Sequence, residues 1–199
     1  MRVLVACEYS GRVRQAFRDK GHDAWSVDLL PSDDDSKFHV VGDAIKMLGD
    51  GWDLLIAHPP CTYLSNSGVC HLHKDAERWP KLFEAAAFFA ALHDSPIKKV
   101  AVENPIQHKY ARQLTGAGKA TQYVQPYMFG HTEQKATGLW LRNLPLLRET
   151  NNVKSETMAL PARERQRLHY LPPSPTRWKV RSTTYQGIAN AMAEQWSDQ

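Results

Sequence analysis

No stretch of this 199-residue sequence approaches the roughly 18 consecutive apolar residues that a membrane-spanning helix needs. The N-terminal MRVLVACEYSGR carries one Arg and then a short apolar run. It lacks the longer apolar region and small-residue cleavage site of a signal peptide, so it reads as a first β-strand. Three cysteines, Cys7, Cys61 and Cys70, are too few for a disulfide framework in a chain this long, which argues for a reducing compartment. Internal repeats and a clear domain boundary are also missing. The expectation is one soluble cytoplasmic domain spanning 1–199, with no membrane association.

What is present fits a packed globule. Hydrophobic residues make up 42% of the chain and there are six Trp, enough for a continuous core in one α/β domain. The net charge is a modest +4, but it is unevenly placed. Residues 1–60 hold seven Lys/Arg against ten Asp/Glu, whereas residues 135–181 hold ten against three. A basic back half suits a polyanionic partner, although a solvated surface rich in Lys and Arg gives the same count.

Residues 2–7 form an apolar run suited to a buried parallel strand. Ser10-Gly11 make a turn, 12–20 have helical spacing at Val13, Ala16 and Phe17, and Gly21 closes the helix. A second strand at 24–28 ends in Asp28. Strand, glycine turn, helix, strand and acid form the opening of a nucleotide-cofactor fold. Residues 52–57 read as another strand, followed by a Ser/Gly/His-rich loop at 62–76 and an amphipathic helix at 77–93. Strands are expected at 98–102, 122–128 and 136–142, and a terminal helix at 185–197 with Ile188, Met192 and Trp196 on one face. Residues 143–182 are basic, Pro-containing and weakly patterned.

Asp28, Cys61 and Glu103 each fall just after a predicted strand. In open α/β sheets the ligand crevice lies beyond the carboxyl ends of the strands, so these distant groups are expected to converge. Cys7, inside a strand, reads as core, and Asp33-Asp34-Asp35 as a solvated loop. Cys61, Cys70, His71 and His73 are zinc-type ligands, but their spacing fits no finger pattern, so no metal is expected.

The order of motifs resembles that of the DNA (cytosine-5) methyltransferases, especially short phage-encoded versions. Glu8-Tyr9-Ser10-Gly11 resembles the family's aromatic-x-Gly cofactor turn, with Val13 in place of its second glycine. Asp28 stands where the family places an acid on the cofactor ribose, and Gly42-Asp43 matches a Gly-Asp pair that contacts adenine. Pro60-Cys61 matches the Pro-Cys of the catalytic loop, and Glu103-Asn104 the Glu-Asn motif. Phe129-Gly130 with Gln134-Lys135 resembles the Gln-Arg-x-Arg region, leaving Lys135 as its one cation. Tyr185-Gln186-Gly187 resembles the start of the family's last helix.

The resemblance implies a Rossmann-like class I S-adenosylmethionine-dependent methyltransferase fold, with a mostly parallel sheet and helices on both faces. Residues 143–182 take the place of a minimal target-recognition insertion. It further implies that the Cys61 thiolate adds to carbon 6 of cytosine, which makes carbon 5 nucleophilic toward a methyl donor. The thiol must be acidified or deprotonated on binding. Glu103 would meet ring nitrogen 3 as a carboxylic acid, which is a reason for a raised pKa. Asn104 would orient it, and Lys135 would meet the pyrimidine carbonyl or a phosphate.

Glu8, Tyr9, Ser10, Gly11, Asp28, Leu29, Asp43, Pro59 and Pro60 become candidates for holding S-adenosylmethionine. The implied partner is DNA, double- or single-stranded, with the target base flipped out of any duplex. Candidate contacts to it are Ser65, Ser67, Arg163, Arg165, Arg167, Arg177, Lys179 and Arg181, with Tyr170 and Trp178 beside them. Two other readings stay open. His58-Pro59-Pro60 echoes the Pro-Pro element of amino-methyltransferases, and RNA or a nucleotide could be the target. The chain could also be an inactive methyltransferase-like protein that binds nucleic acid or regulates a partner.

Overall fold

The alternation of side chains along the central strands divides the core in two. In β1 (Arg2–Ala6) and β4 (Leu54–Ala57), Val3, Val5, Leu54 and Ile56 pack into one cluster, while Leu4, Ala6, Leu55 and Ala57 enter another. All eight are fully buried, as expected for parallel strands covered on both faces. The structure is a computed structural model and describes residues 1–197.

Between them along the chain run α1 (Arg12–Asp19), β2 (Asp23–Asp28), β3 (His39–Val41) and α2 (Ala44–Met47). After β4 come α3 (Val69–Leu72), α4 (Arg78–His93), β5 (Lys99–Pro105), α5 (Lys109–Thr115), β6 (Gln122–Val124) and β7 (Thr137–Arg142). The chain closes with α6 (Lys154–Ala159), α7 (Ala162–Arg165), α8 (Arg167–Tyr170), α9 (Arg177–Ser182) and α10 (Gln186–Trp196).

The seven strands form one sheet in the order β3-β2-β1-β4-β5-β7-β6, parallel except that β7 runs antiparallel to both neighbours. One face is covered by α1 and α10, through Val13, Phe17, Ile188, Met192 and Trp196. The other is covered by α2 to α5, through Ala44, Leu72, Leu82, Phe89 and Ala111. This is the Rossmann-like arrangement expected from the sequence, a mostly parallel sheet with helices on both faces. Among the described residues, no helix is long and apolar enough to cross a membrane.

Three of the differences from expectation matter here. The parallel pairing of β4 with β5 ends at Ala57 and Val102, but the antiparallel ladder to β7 carries β5 on through Glu103, Asn104 and Pro105. Glu103 therefore lies within a strand, one residue past the parallel edge. The strand expected at 122–128 stops at Val124, because Pro126 has no N–H to extend the ladder and a 3₁₀ turn takes over at Pro126–Met128. The weakly patterned 143–182 holds the four short helices α6 to α9.

Candidate active site

The sheet topology brings the ends of β1, β2, β4 and β5 together, and two openings lie there. The larger is a cavity of about 520 Å³. Its walls include Val27, Leu29, Pro60, Tyr63, Ala85 and Phe88, and its polar groups are Cys7, Asp28, Asp43, Lys81 and Glu84. Asp28 accepts a hydrogen bond from Leu30 N–H through one oxygen (3.0 Å), and Asp43 caps α2 through one oxygen on Ile45 N–H (3.0 Å). Each keeps a second oxygen for a ligand. A volume of this size with apolar walls and a few carboxylates suits a nucleoside-sized ligand carrying positive charge.

Cys7 is not a core residue inside β1. It sits just past the strand with a φ of 59°, half-buried on the cavity wall. Burial, with the charges of Asp28 and Asp43 added, pushes its thiol up to about 12, so it stays protonated at neutral pH.

The expected cofactor turn has other occupants. Glu8 is buried, and its carboxylate accepts from Val13 N–H (2.7 Å) and Arg14 N–H (3.1 Å), capping the start of α1. Tyr9 is also buried. Its hydroxyl donates to the Lys179 carbonyl (2.7 Å), and Trp178 meets its ring edge-on with centroids 5.7 Å apart. The acidic loop is exposed, as expected, and its acids also make contacts. Asp33 N–H donates to the Tyr9 carbonyl (2.9 Å), Asp33 pairs with Lys179 (3.1 Å), and Asp34 pairs with the fully buried guanidinium of Arg14. Gly11 has φ +68°, and a Cβ there would collide with Arg14 and press on Asp34, so only glycine fits. Of the nine cofactor candidates, Asp28, Leu29, Asp43 and Pro60 line the cavity. Glu8, Tyr9, Ser10, Gly11 and Pro59 do not.

The second opening is a cleft of about 20 Å³, lined by Glu103, Lys135, Ser182, Thr184, Tyr185 and their neighbours. That is room for about one water molecule, not for a pyrimidine. Lys135 donates its Nζ to the Arg181 carbonyl (2.7 Å), tying the loop before β7 to α9. Cys61, half-buried, lies within electrostatic reach of Glu103, Lys135 and Arg181. Burial and then the Glu103 charge raise its thiol, while Lys135 and Arg181 pull the other way without reversing the shift. At rest the thiol is protonated, so a site that works through it must deprotonate it when substrate binds.

Glu103 does not follow the expectation of a raised carboxyl. Burial works in that direction, but the hydrogen bond from His58 and the charges of Lys135 and His58 outweigh it and hold the group below the usual carboxylate range. His58 Nδ1 lies 3.3 Å from Glu103 Oε2. Asn104 is fully buried and donates its Nδ2 to the Pro59 carbonyl (2.9 Å), so it orients the backbone ahead of Cys61. His58 is one site residue that sequence reading missed, as are Tyr63 and Phe88 on the cavity wall. The only signal for His58 was its place directly before Pro-Pro-Cys.

The loop after Cys61 is pinned rather than free. The Cys61 carbonyl accepts from Leu64 N–H and Ser65 N–H, His108 Nε2 lies 2.8 Å from the Tyr63 carbonyl, and Asn66 N–H reaches the Ile106 carbonyl. Ser65 is buried against Gln107 and 3.1 Å from the exposed Ser67 hydroxyl.

Several of the expected phosphate contacts are engaged internally. Arg165 bonds Gln134 (2.9 Å) and the Leu160 carbonyl (2.8 Å), and Arg167 pairs with Glu133 (2.8 Å). Arg177 reaches the His169 carbonyl (3.4 Å). Arg163 and Arg181 are exposed, as are the flanking Tyr170, Trp178 and Val180.

No described protein family and no curated protein matches the chain. Among solved structures it is similar to a prophage-encoded E. coli protein assigned as a DNA modification methyltransferase. That match has a TM-score of 0.46 and 16% identity over 81% of this chain and 56% of the other. It is also similar to the Entamoeba histolytica methyltransferase EhMeth, with a TM-score of 0.48 and 14% identity over 76% of this chain and 57% of the other. The chain thus spans a little over half the length of either.

Proposed function

We propose that this chain is an S-adenosylmethionine-dependent methyltransferase that transfers a methyl group to carbon 5 of cytosine in DNA, through a covalent adduct on Cys61. The observation that carries this reading is the register of β4 on β5, which sets His58 against Glu103 and ties Asn104 to the Pro59 carbonyl two residues before Cys61, beside a nucleoside-sized cavity with Pro60 in its wall.

The cavity fits the cofactor. Asp28 and Asp43 each have an oxygen left for ribose hydroxyls or the adenine amine, while Leu29, Tyr63 and Phe88 offer apolar and aromatic walls. Tyr63 and Phe88, rather than the buried Tyr9, would flank the purine. Bound there, S-adenosylmethionine supplies an electrophilic sulfonium methyl group.

The chain's own residues do the rest. The Cys61 thiol gives its proton to the Glu103 carboxylate and the thiolate adds to carbon 6, while Glu103 passes that proton to ring nitrogen 3. Once carbon 5 carries the methyl group it loses its proton to water, and the electrons of that C–H bond form the 5,6 double bond and expel the thiolate. Nitrogen 3 then returns its proton to Glu103. Lys135 and Arg181 favour the thiolate over the thiol, so they lower the cost of the first step. A cleft of about 20 Å³ admits no base, so α9 must withdraw from Lys135 and Tyr9 before the target enters. The cations and exposed aromatics of 143–182 are suited to drive that opening by binding DNA.

The burial of Tyr9 under α9 favours one second reading, a methyltransferase-like protein that binds nucleic acid without activity. Incubation with methyl-labelled cofactor and DNA, followed by nucleoside analysis, separates the two. The proposal expects label in 5-methylcytosine and none with Cys61→Ser. Label on adenine or on an exocyclic amine, label that survives Cys61→Ser, or no cofactor binding by calorimetry would each reject it.

A further inference from the structure

We propose that His58 is a positioning residue for Glu103: it fixes one carboxyl oxygen and shares a proton with the pair, leaving the other oxygen for the substrate ring. This rests on reading Cys61 and Glu103 as the reacting pair.

The sheet register forces the contact. Ala57 of β4 lies opposite Val102 of β5, so the next residue on each strand, His58 and Glu103, is carried past the parallel edge side by side. His58 N–H is held by the Ala6 carbonyl (2.9 Å), and on the other side of the pair Asn104 grips the Pro59 carbonyl (2.9 Å). The two proline rings that follow restrict the backbone further. The His58 ring is therefore set by strand geometry and not by a flexible loop.

The ring's surroundings argue against a purely structural histidine. Its side chain is 7% exposed, Nδ1 faces Glu103 Oε2 at 3.3 Å, and Nε2 is buried with no hydrogen-bond partner among the described residues. A buried polar atom left unpaired is destabilising, so an apolar residue would serve packing better. What the imidazole does that no apolar residue can do is hold a hydrogen against Glu103. The Glu103 side chain is 19% exposed, and no hydrogen bond claims its Oε1 among the described residues.

The other groups that face Glu103 are few. Lys135 approaches from the segment before β7, and the Cys61 thiol from the loop after β4. Tyr185 comes from the start of α10, but its hydroxyl is committed to Glu133 (2.8 Å). Among them only His58 hydrogen-bonds the carboxyl. Removing it leaves Lys135 alone against burial, and the carboxyl must then hold its proton to higher pH.

The test uses the full chain with His58→Ala and His58→Asn, the second placing an amide N–H near the position of Nδ1. Two readouts are taken: titration of the Glu103 carboxyl by ¹³C NMR, and kcat, KM and adduct formation with a 5-fluorocytosine oligonucleotide across pH. In His58→Ala the carboxyl titrates at higher pH than in the wild type, and kcat falls roughly ten- to a hundredfold with little change in KM, as expected for a misplaced catalytic group. His58→Asn recovers most of kcat and part of the titration shift. A wild-type protein that forms an adduct, together with a His58→Ala titration that does not move, overturns this proposal alone. Equal loss in both variants does the same. A wild-type protein that forms no adduct overturns the functional reading and this proposal with it.

Discussion

Replacing Glu103 by Gln removes one negative charge from beside Cys61 while keeping the size of the side chain. The thiol is held up by burial and by that charge, and pulled down by Lys135 and Arg181. Without the carboxylate the two cations act against burial alone, so the thiol pKa falls. A single charge facing a partly exposed group is typically worth ~1.4 kcal/mol. Well below the thiol pKa this means about tenfold more thiolate. A more acidic thiolate is also a weaker nucleophile, with a Brønsted slope near 0.5, so the net gain in reactivity is about threefold.

The assay is iodoacetamide labelling at about pH 8, read peptide by peptide by mass spectrometry. The exposed Cys70 serves as an internal reference, and Cys7, held near 12, stays almost unlabelled. Faster labelling of Cys61 in Glu103→Gln, at an unchanged Cys70 rate, is the expected result. A Cys61 rate that is unchanged or slower refutes the reasoning, because Glu103 then exerts no charge on the thiol.

Other consequences follow from the same structure. Tyr9→Phe removes the hydroxyl contact to the Lys179 carbonyl, so α9 loosens, and limited proteolysis should cut faster within 171–184 while the rest of the chain resists. Gly187→Ala places a methyl group onto the Phe129 carbonyl and 3.0 Å from His131 Nε2. The expected cost is about 1–3 kcal/mol in urea unfolding, and an unaltered midpoint would contradict the tight approach of α10. Asp34 is held below the usual carboxylate range: burial opposes this, but Ser32, Arg14 and local backbone bonds outweigh it. A carboxyl depressed in the folded state adds stability above its unfolded pKa and loses it as pH falls through the folded value. Asp34→Asn should therefore flatten the acid side of a stability–pH curve. Phe88→Ala should weaken S-adenosylmethionine binding in calorimetry, whereas Ser67→Ala should leave it unchanged.

Much of the fold was legible because buried parallel strands read as apolar runs: RVLVAC, WDLLIA and KKVAV each contain most or all of the parallel-paired part of a strand of the observed sheet. The spacing of Cys61 and Glu103 after two of them was legible for the same reason, since topology and not sequence distance brings strand ends together. What was hidden depends on partners far along the chain. Nothing near Tyr9 announces that Lys179 and Trp178 will bury it, and nothing in the acidic run shows that Asp34 will meet Arg14. The extension of β5 through Glu103 needs β7, some 35 residues later, and the pairing of His58 with Glu103 needs the register of β4 on β5. Cys7 looked like core because a strand pattern cannot reveal a φ of 59° at its last step.

The central claim is that Cys61 attacks a cytosine ring, and covalent capture addresses it directly. A DNA duplex carrying 5-fluorocytosine, incubated with the protein and S-adenosylmethionine, should yield a stable protein–DNA adduct, because fluorine at carbon 5 blocks the elimination that frees the enzyme. Mass spectrometry of the digested adduct should find the base on the peptide that contains Cys61. Its absence, or a base attached at Cys7 or Cys70, would contradict the account.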